Sequence, residues 1–160
     1  MSKQNAGKGL YARAEDAWSR GRLSSAFSLF LEAANAGDVR AFRVLAQFYD
    51  DGEGTLRNEA RALYWYRRAH RDALDAVAAH NIGCITRDRG ETHRALWWFR
   101  RAVSMGEVES HLQIAKISLG LGKKMVARRH LELLLSSNEI VEDSRDEGEA
   151  LLIQCDLGRR

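Results

Sequence analysis

The chain has 160 residues, 45% of them hydrophobic and 29% charged, with 25 Lys and Arg against 22 Asp and Glu for a net charge of +3. That is an ordinary balance for a single domain, 1–160, able to bury its own core, and no run approaches the roughly 18 apolar residues of a membrane span. Two cysteines, Cys84 and Cys155, are too few for a disulfide framework or a four-ligand zinc site. Reduced thiols, no metal, no cofactor and no membrane association are therefore expected. The opening "MSKQNAGKGLYARAEDAW" lacks the apolar core of a signal peptide, so a cytoplasmic location is expected as well.

Proline is absent, and Ala, Leu, Arg and Glu dominate, which predicts an all-α chain. Its breaks fall at Gly21, Gly37, "DGEGT" (51–55), Gly90, Gly106, Gly120, Gly122 and Gly148, leaving segments of helical-hairpin length. The phrase "ALYWYRRA" at 62–69 returns as "ALWWFRRA" at 95–102. Aligned on its first alanine, the chain places Ala26, Ala62, Ala95 and Ala127 in one column. Phe30, Tyr66, Phe99 and Leu131 follow four residues later, and Ala33, Ala69, Ala102 and Leu134 seven later. Upstream, Arg13-Ala14, Leu45-Ala46, Ile82-Gly83 and Ile114-Ala115 pair a mostly large residue with a small one.

A period near 34 with two helices per unit predicts stacked helical hairpins in which each unit completes its neighbour's core. Repeats are expected at about 5–36, 37–72, 73–105 and 106–138, with Trp65 and Trp98 buried and the Arg pairs that follow them solvated. The tail, 139–160, is expected to form a capping helix on a stripe of Ala150, Leu151, Leu152, Ile153 and Leu157. Charge divides unevenly: 22 basic against 15 acidic residues through 138, then 3 against 7.

The segment 35–72, with Gly37, Ala41, Leu45, Ala46, Tyr49, Gly52, Gly54, Leu56, "ALYWYRRA" and Ala69, resembles the Sel-one-like repeat, a tetratricopeptide-like hairpin with a longer internal loop. The resemblance implies a right-handed α/α solenoid of about four hairpins plus the cap, and a non-enzymatic adaptor or scaffold that binds a protein or peptide. It also implies that the first helix of each repeat lines a groove. By register that groove receives Tyr11, Glu15 and Trp18, then Arg40, Arg43, Gln47 and Asp50. Val77, His80, Cys84 and Arg87 follow, then Glu109, Leu112 and Lys116. Its basic middle suits an acidic partner, with Tyr11 and Trp18 as aromatic anchors. The groove lacks the Lys and Asn pattern of carboxylate-clamping tetratricopeptide domains. The alternative implied by analogy is a cytoplasmic bacterial immunity protein or secretion chaperone that binds a toxin or effector.

Other chemistry finds less footing in the residues. The basic clusters "YRRAHR", "FRRA" and "KKMVARRH" recur at equivalent repeat positions, which reads as solvation, so nucleic acid is not an expected partner. His80 and Cys84 share a helix face, but the sequence places no third group beside them. In "DDGEGTLRNE", Leu56 occupies the place where a calcium loop needs glycine.

Overall fold

A computed structural model describes the backbone of residues 3–157 and the side chains of 7–156; Leu157's side chain and residues 158–160 of the expected cap lie outside that description. Among the described residues the chain is helical and contains no strand. The helices are α1 (Lys3–Ser19), α2 (Leu23–Asn35), α3 (Arg40–Asp51), α4 (Glu59–Ala73), α5 (Ala76–Asp88), α6 (Thr92–Val103), α7 (Ser110–Gly120), α8 (Lys124–Leu135) and α9 (Glu142–Leu157). They divide between two compact units, Met1–Ala78 and Ala79–Arg160. No described helix is long and apolar enough to cross a membrane.

The repeated columns are the core of both units. Ala26, Ala62, Ala95 and Ala127 are fully buried, as are Ala33, Ala69, Ala102 and Leu134. Between them Phe30, Tyr66, Phe99 and Leu131 fill the space that the small residues leave open. Ala14, Ala46 and Ala115 are likewise buried at the close approach from the first helix of the hairpin. At Gly83 that approach is closest: a Cβ there would meet the Phe99 ring at 2.7 Å, so only glycine fits.

Local signals set the ends of the elements. The Asn58 side chain accepts from the Arg61 N–H at 3.0 Å and caps α4, with Glu59 in the first turn and His70 and Arg71 in the last, as the helix dipole favours. The long loop after α3 is held by Gly54. Its φ is +65°, and a Cβ would come within 2.5 Å of the Leu23 carbonyl at the start of α2.

Three expectations change. Trp65 is buried at 6% exposure, but Trp98 is only half-buried, and Trp97 is 58% exposed. Arg68, expected to be solvated, lies over the rings of Phe42 (4.1 Å) and Trp65 (5.1 Å) and pairs with Asp72, so it works as a packing residue. The capping stripe on α9 is Gly148, Leu151, Leu152 and Cys155, seated on Leu112, Leu131 and Leu134, whereas Ala150 and Ile153 face outward. Helical spacing explains the correction, because positions 148, 151, 152 and 155 share a face that 150 and 153 do not.

Candidate binding face

In the first unit, the solvent stripe of α3 is Arg40, Arg43, Gln47 and Asp50; the intervening Phe42, Val44, Leu45, Ala46, Phe48 and Tyr49 are buried. α1 runs alongside in parallel. Tyr11 stands beside the start of α3 with the Arg40 guanidinium 4.2 Å above its ring, and Trp18 meets Phe48 near the end, with ring centroids 5.6 Å apart. Tyr11 is half-buried, with Phe30 at its edge; Trp18 stays 42% exposed. Burial, and then the charge of Glu15, raise the Tyr11 phenol above its ordinary range.

In the second unit, α5 turns His80, Cys84 and Arg87 to one side, and α7 presents Gln113 and Lys116, with Glu109 at its N-cap. Leu112, expected in the groove, is instead 3% exposed and belongs to the core beneath α9. Its position next to Gln113 on the helix turns it inward.

The cations on these faces are already partnered. Arg40 makes two bonds to the Asp38 carboxylate, 3.0 and 2.6 Å, and Arg43 Nε donates to Asp75 at 2.9 Å. Arg87 pairs with Asp88 and donates to Gln113, while Lys116 reaches Glu147 on α9 at 2.7 Å. His80 faces Glu107 at 3.1 Å and Ser110 at 2.8 Å. The basic groove expected from the residue types is therefore a set of neutralised pairs. The acids that supply the neutralisation are Asp38, Asp75, Asp88, Glu107 and Glu147, none of which the groove register marks.

Three of those acids share one construction. Gly37-Asp38, Leu74-Asp75 and Gly106-Glu107 each join two repeats. The first residue of each pair is left-handed, with φ of +88°, +51° and +92°. The acid's own N–H returns to the carbonyl of the third-column alanine: Asp38 to Ala33, Asp75 to Ala69 and Glu107 to Ala102, at 3.0, 3.3 and 3.0 Å. Its side chain then accepts from the start of the next helical segment, at Arg40 N, Ala78 N and Ser110 N. One carboxylate thus ends a turn, opens a helix and holds a cation on the exposed face. In the sequence the construction shows as glycine followed by an acid at 37–38 and 106–107, whereas at 74–75 leucine stands in the glycine's place and hides it.

Charge follows geometry. The Arg40 bond holds the Asp38 carboxyl below the usual range. Burial opposes ionisation of Glu107, but its bonds to His80 and Ser110 outweigh it and keep that carboxyl low. Elsewhere in this unit two histidines meet: His111 Nδ1 and His130 Nδ1 are 2.8 Å apart in a cavity of about 550 Å³ shared with Arg100, Val103, Met125, Val126, Arg129 and Leu133. Burial, then the neighbouring His111, Arg100 and Arg129, push His130 down to about 4. Among the described residues no group of three or more His, Cys, Asp or Glu is placed to hold a metal ion.

The Sel1 repeat profile matches residues 23–38, 43–69 and 78–107. A search of curated proteins found no match. Among solved structures, the chain is similar to a Sel1 repeat protein from Oxalobacter formigenes (TM-score 0.75, 23% identity), covering 95% of this chain and 62% of that one. A tetratricopeptide repeat protein from Parabacteroides merdae gives a TM-score of 0.73 at 18% identity, over 96% and 61%. A protective antigen of uropathogenic Escherichia coli with an SLR fold gives 0.72 at 14%, over 96% and 38%. The chain therefore spans less than two thirds of each of these three, and at such identities the likeness establishes the fold. The matched segments carry the first three copies of the alanine columns, with Ala26, Ala62 and Ala95, and the turn acids Asp38 and Glu107, so the chain contains Sel1-like repeats of the tetratricopeptide-like helical fold.

Proposed function

We propose that the chain is a non-enzymatic protein-interaction module that takes an extended segment of a partner along the exposed stripe of α3 and the neighbouring rings of α1. The Sel1 repeat fold is typically a protein–protein interaction module. The observation that carries the reading is that Tyr11, Trp18, Arg40, Arg43 and Gln47 stay at least partly exposed on two parallel helices whose other faces are locked into a dense core. Rigid aromatic anchors beside adaptable hydrogen-bonding groups suit a partner's main chain and one or two of its apolar side chains, at small ordering cost.

An acidic partner engages this face by exchange. A carboxylate reaches the inner edge of the Arg43 guanidinium by replacing Asp75, so geometry, more than bare charge, selects the ligand.

Affinity capture from extract of the native cell, quantified by mass spectrometry, tests this. Trp18→Ala combined with Gln47→Ala should lose the principal partner while leaving the thermal melt close to wild type. The control, Arg67→Glu with Arg101→Glu, alters exposed positions on the second helices and should retain it. Loss with the control alone would move the site to the second-helix side, and equal recovery with all three proteins would overturn the reading.

A further inference from the structure

Cys84 completes an arrangement that the sequence left open. His80 Nε2 lies 3.4 Å from Cys84 Sγ, while Nδ1 on the far side of the ring faces Glu107 at 3.1 Å and Ser110 Oγ at 2.8 Å. Ser110 donates its single hydroxyl hydrogen to the Glu107 carboxylate, which is an acceptor only. The Ser110 oxygen must therefore accept from His80, and Nδ1 carries a proton. That assignment leaves Nε2 directed at the thiol, as a base for S–H or as an imidazolium donor to the sulfur anion. The Phe99 ring stands edge-on to the imidazole, with centroids 5.4 Å apart, and fixes its plane. Glu107 is itself held by the N–H groups of Glu109 and Ser110. Cys84 is partly exposed, so the sulfur is open to a small reagent, whereas Cys155 is buried at 5%.

The geometry points to Cys84 as an activated thiol, a modification site on the exposed side of α5 that exchanges with low-molecular-weight disulfides. In the step, Cys84 gives its proton to His80 Nε2, and Sγ attacks one sulfur of the disulfide. A new S–S bond forms as the old one breaks, and the departing sulfur leaves with the bonding pair and takes the proton from Nε2. Cys84 is oxidised to a mixed disulfide and one half of the reagent is reduced to a thiol. Burial disfavours a charged His80, yet its bonds to Cys84 and Glu107 prevail and raise it to about 9, in keeping with an imidazolium that supports the sulfur anion. The charged neighbours of the pair in this unit are Glu107 and, three residues along α5 from Cys84, Arg87, which is occupied by Asp88 and Gln113.

The test uses the full chain and 5,5′-dithiobis(2-nitrobenzoic acid), with release of the coloured thiolate timed at pH 7 for folded protein and for the same chain in urea. Intact mass should show one fast adduct, lost in Cys84→Ser. The folded chain should react about tenfold faster than the unfolded chain at Cys84, and His80→Gln should remove that advantage. Glu107→Gln keeps the acceptor at the start of α7 but not the charge; it should slow the reaction and move the rate–pH profile toward that of the unfolded chain. Melts of each variant confirm that the comparison is between folded proteins. If His80→Gln is unfolded, Glu107→Gln alone decides. A folded chain that reacts no faster than the unfolded one, or folded variants with unchanged rates, would overturn the assignment.

Discussion

Asp75 joins two repeats with one carboxylate: Oδ2 accepts from Arg43 Nε, 32 residues upstream, at 2.9 Å, while Oδ1 accepts from the Ala78 N–H at 2.8 Å. Asp75→Ala removes both bonds. A lost helix cap costs about 1 kcal/mol and a partly exposed ion pair at most about another 1, so a loss of roughly 1–2 kcal/mol is expected. Asp75→Asn, which retains an acceptor oxygen, should cost less. Urea melts of the two variants, with Arg43→Gln closing a double-mutant cycle, measure the difference; equal losses would mean that the cap contributes nothing.

The histidines set opposite pH limits on stability. His80, raised to about 9 in the folded chain against 6.5 unfolded, stabilises fully below pH 6.5 and loses that contribution as pH rises toward 9. His130, lowered to about 4, stabilises fully above 6.5 and loses its contribution as pH falls toward 4. The melting temperature should therefore peak near neutrality. His80→Gln should flatten the alkaline limb, and His130→Gln the acid limb between pH 6.5 and 4.5, above the range of ordinary carboxylates. A melting series across pH 4–9 for the three proteins checks both signs.

Gly83→Ala drives a methyl group into the Phe99 ring, and overpacking of this kind costs about 1–3 kcal/mol. Phe99→Leu in the same chain should recover part of the loss. If the double variant is no more stable than Gly83→Ala alone, the clash is not the cause.

Leu74 is a left-handed non-glycine residue that is 71% exposed. Leu74→Gly should leave stability unchanged or raise it by up to about 1 kcal/mol, because a side chain in that region carries steric strain. Leu74→Val should destabilise, since a β-branched residue fits the region worse. A gain with valine would show that the turn does not hold the left-handed form.

Trp65→Ala should cost about 3–5 kcal/mol and Trp97→Ala less than about 1, with Trp98→Ala between them, following their burial. Tryptophan emission maxima and melts of the three variants measure environment and cost together.

The alanine and aromatic columns were legible because packing writes itself at a fixed period: Ala26, Ala62 and Ala95 recur at one register and all three are fully buried. The face was legible as a list of side chains but not as electrostatics. Arg43 reads as a free cation until Asp75, distant in sequence, folds back to it, and His80 with Cys84 reads as an isolated pair until the turn before α7 brings Glu107 and Ser110. A cap stripe on α9 misaligned by one or two residues has the same origin. Helical phase is well determined in a repeated element, where several copies vote, and poorly determined in a terminal helix that occurs once.

The pairing of each cation with an internal acid also bears on how quickly a partner arrives. A guanidinium held against a carboxylate projects a dipole, whose field falls off faster with distance than that of a lone charge and is spent within a Debye length of about 8 Å. Such a face does little to draw a ligand through solution, so for the proposed partner the expected encounter rate is the unsteered one, about 10⁵–10⁶ M⁻¹s⁻¹, with little change on adding salt. For the proposed partner, discrimination would then fall after contact, in how long a segment stays while Asp75 and Arg43 part to admit it.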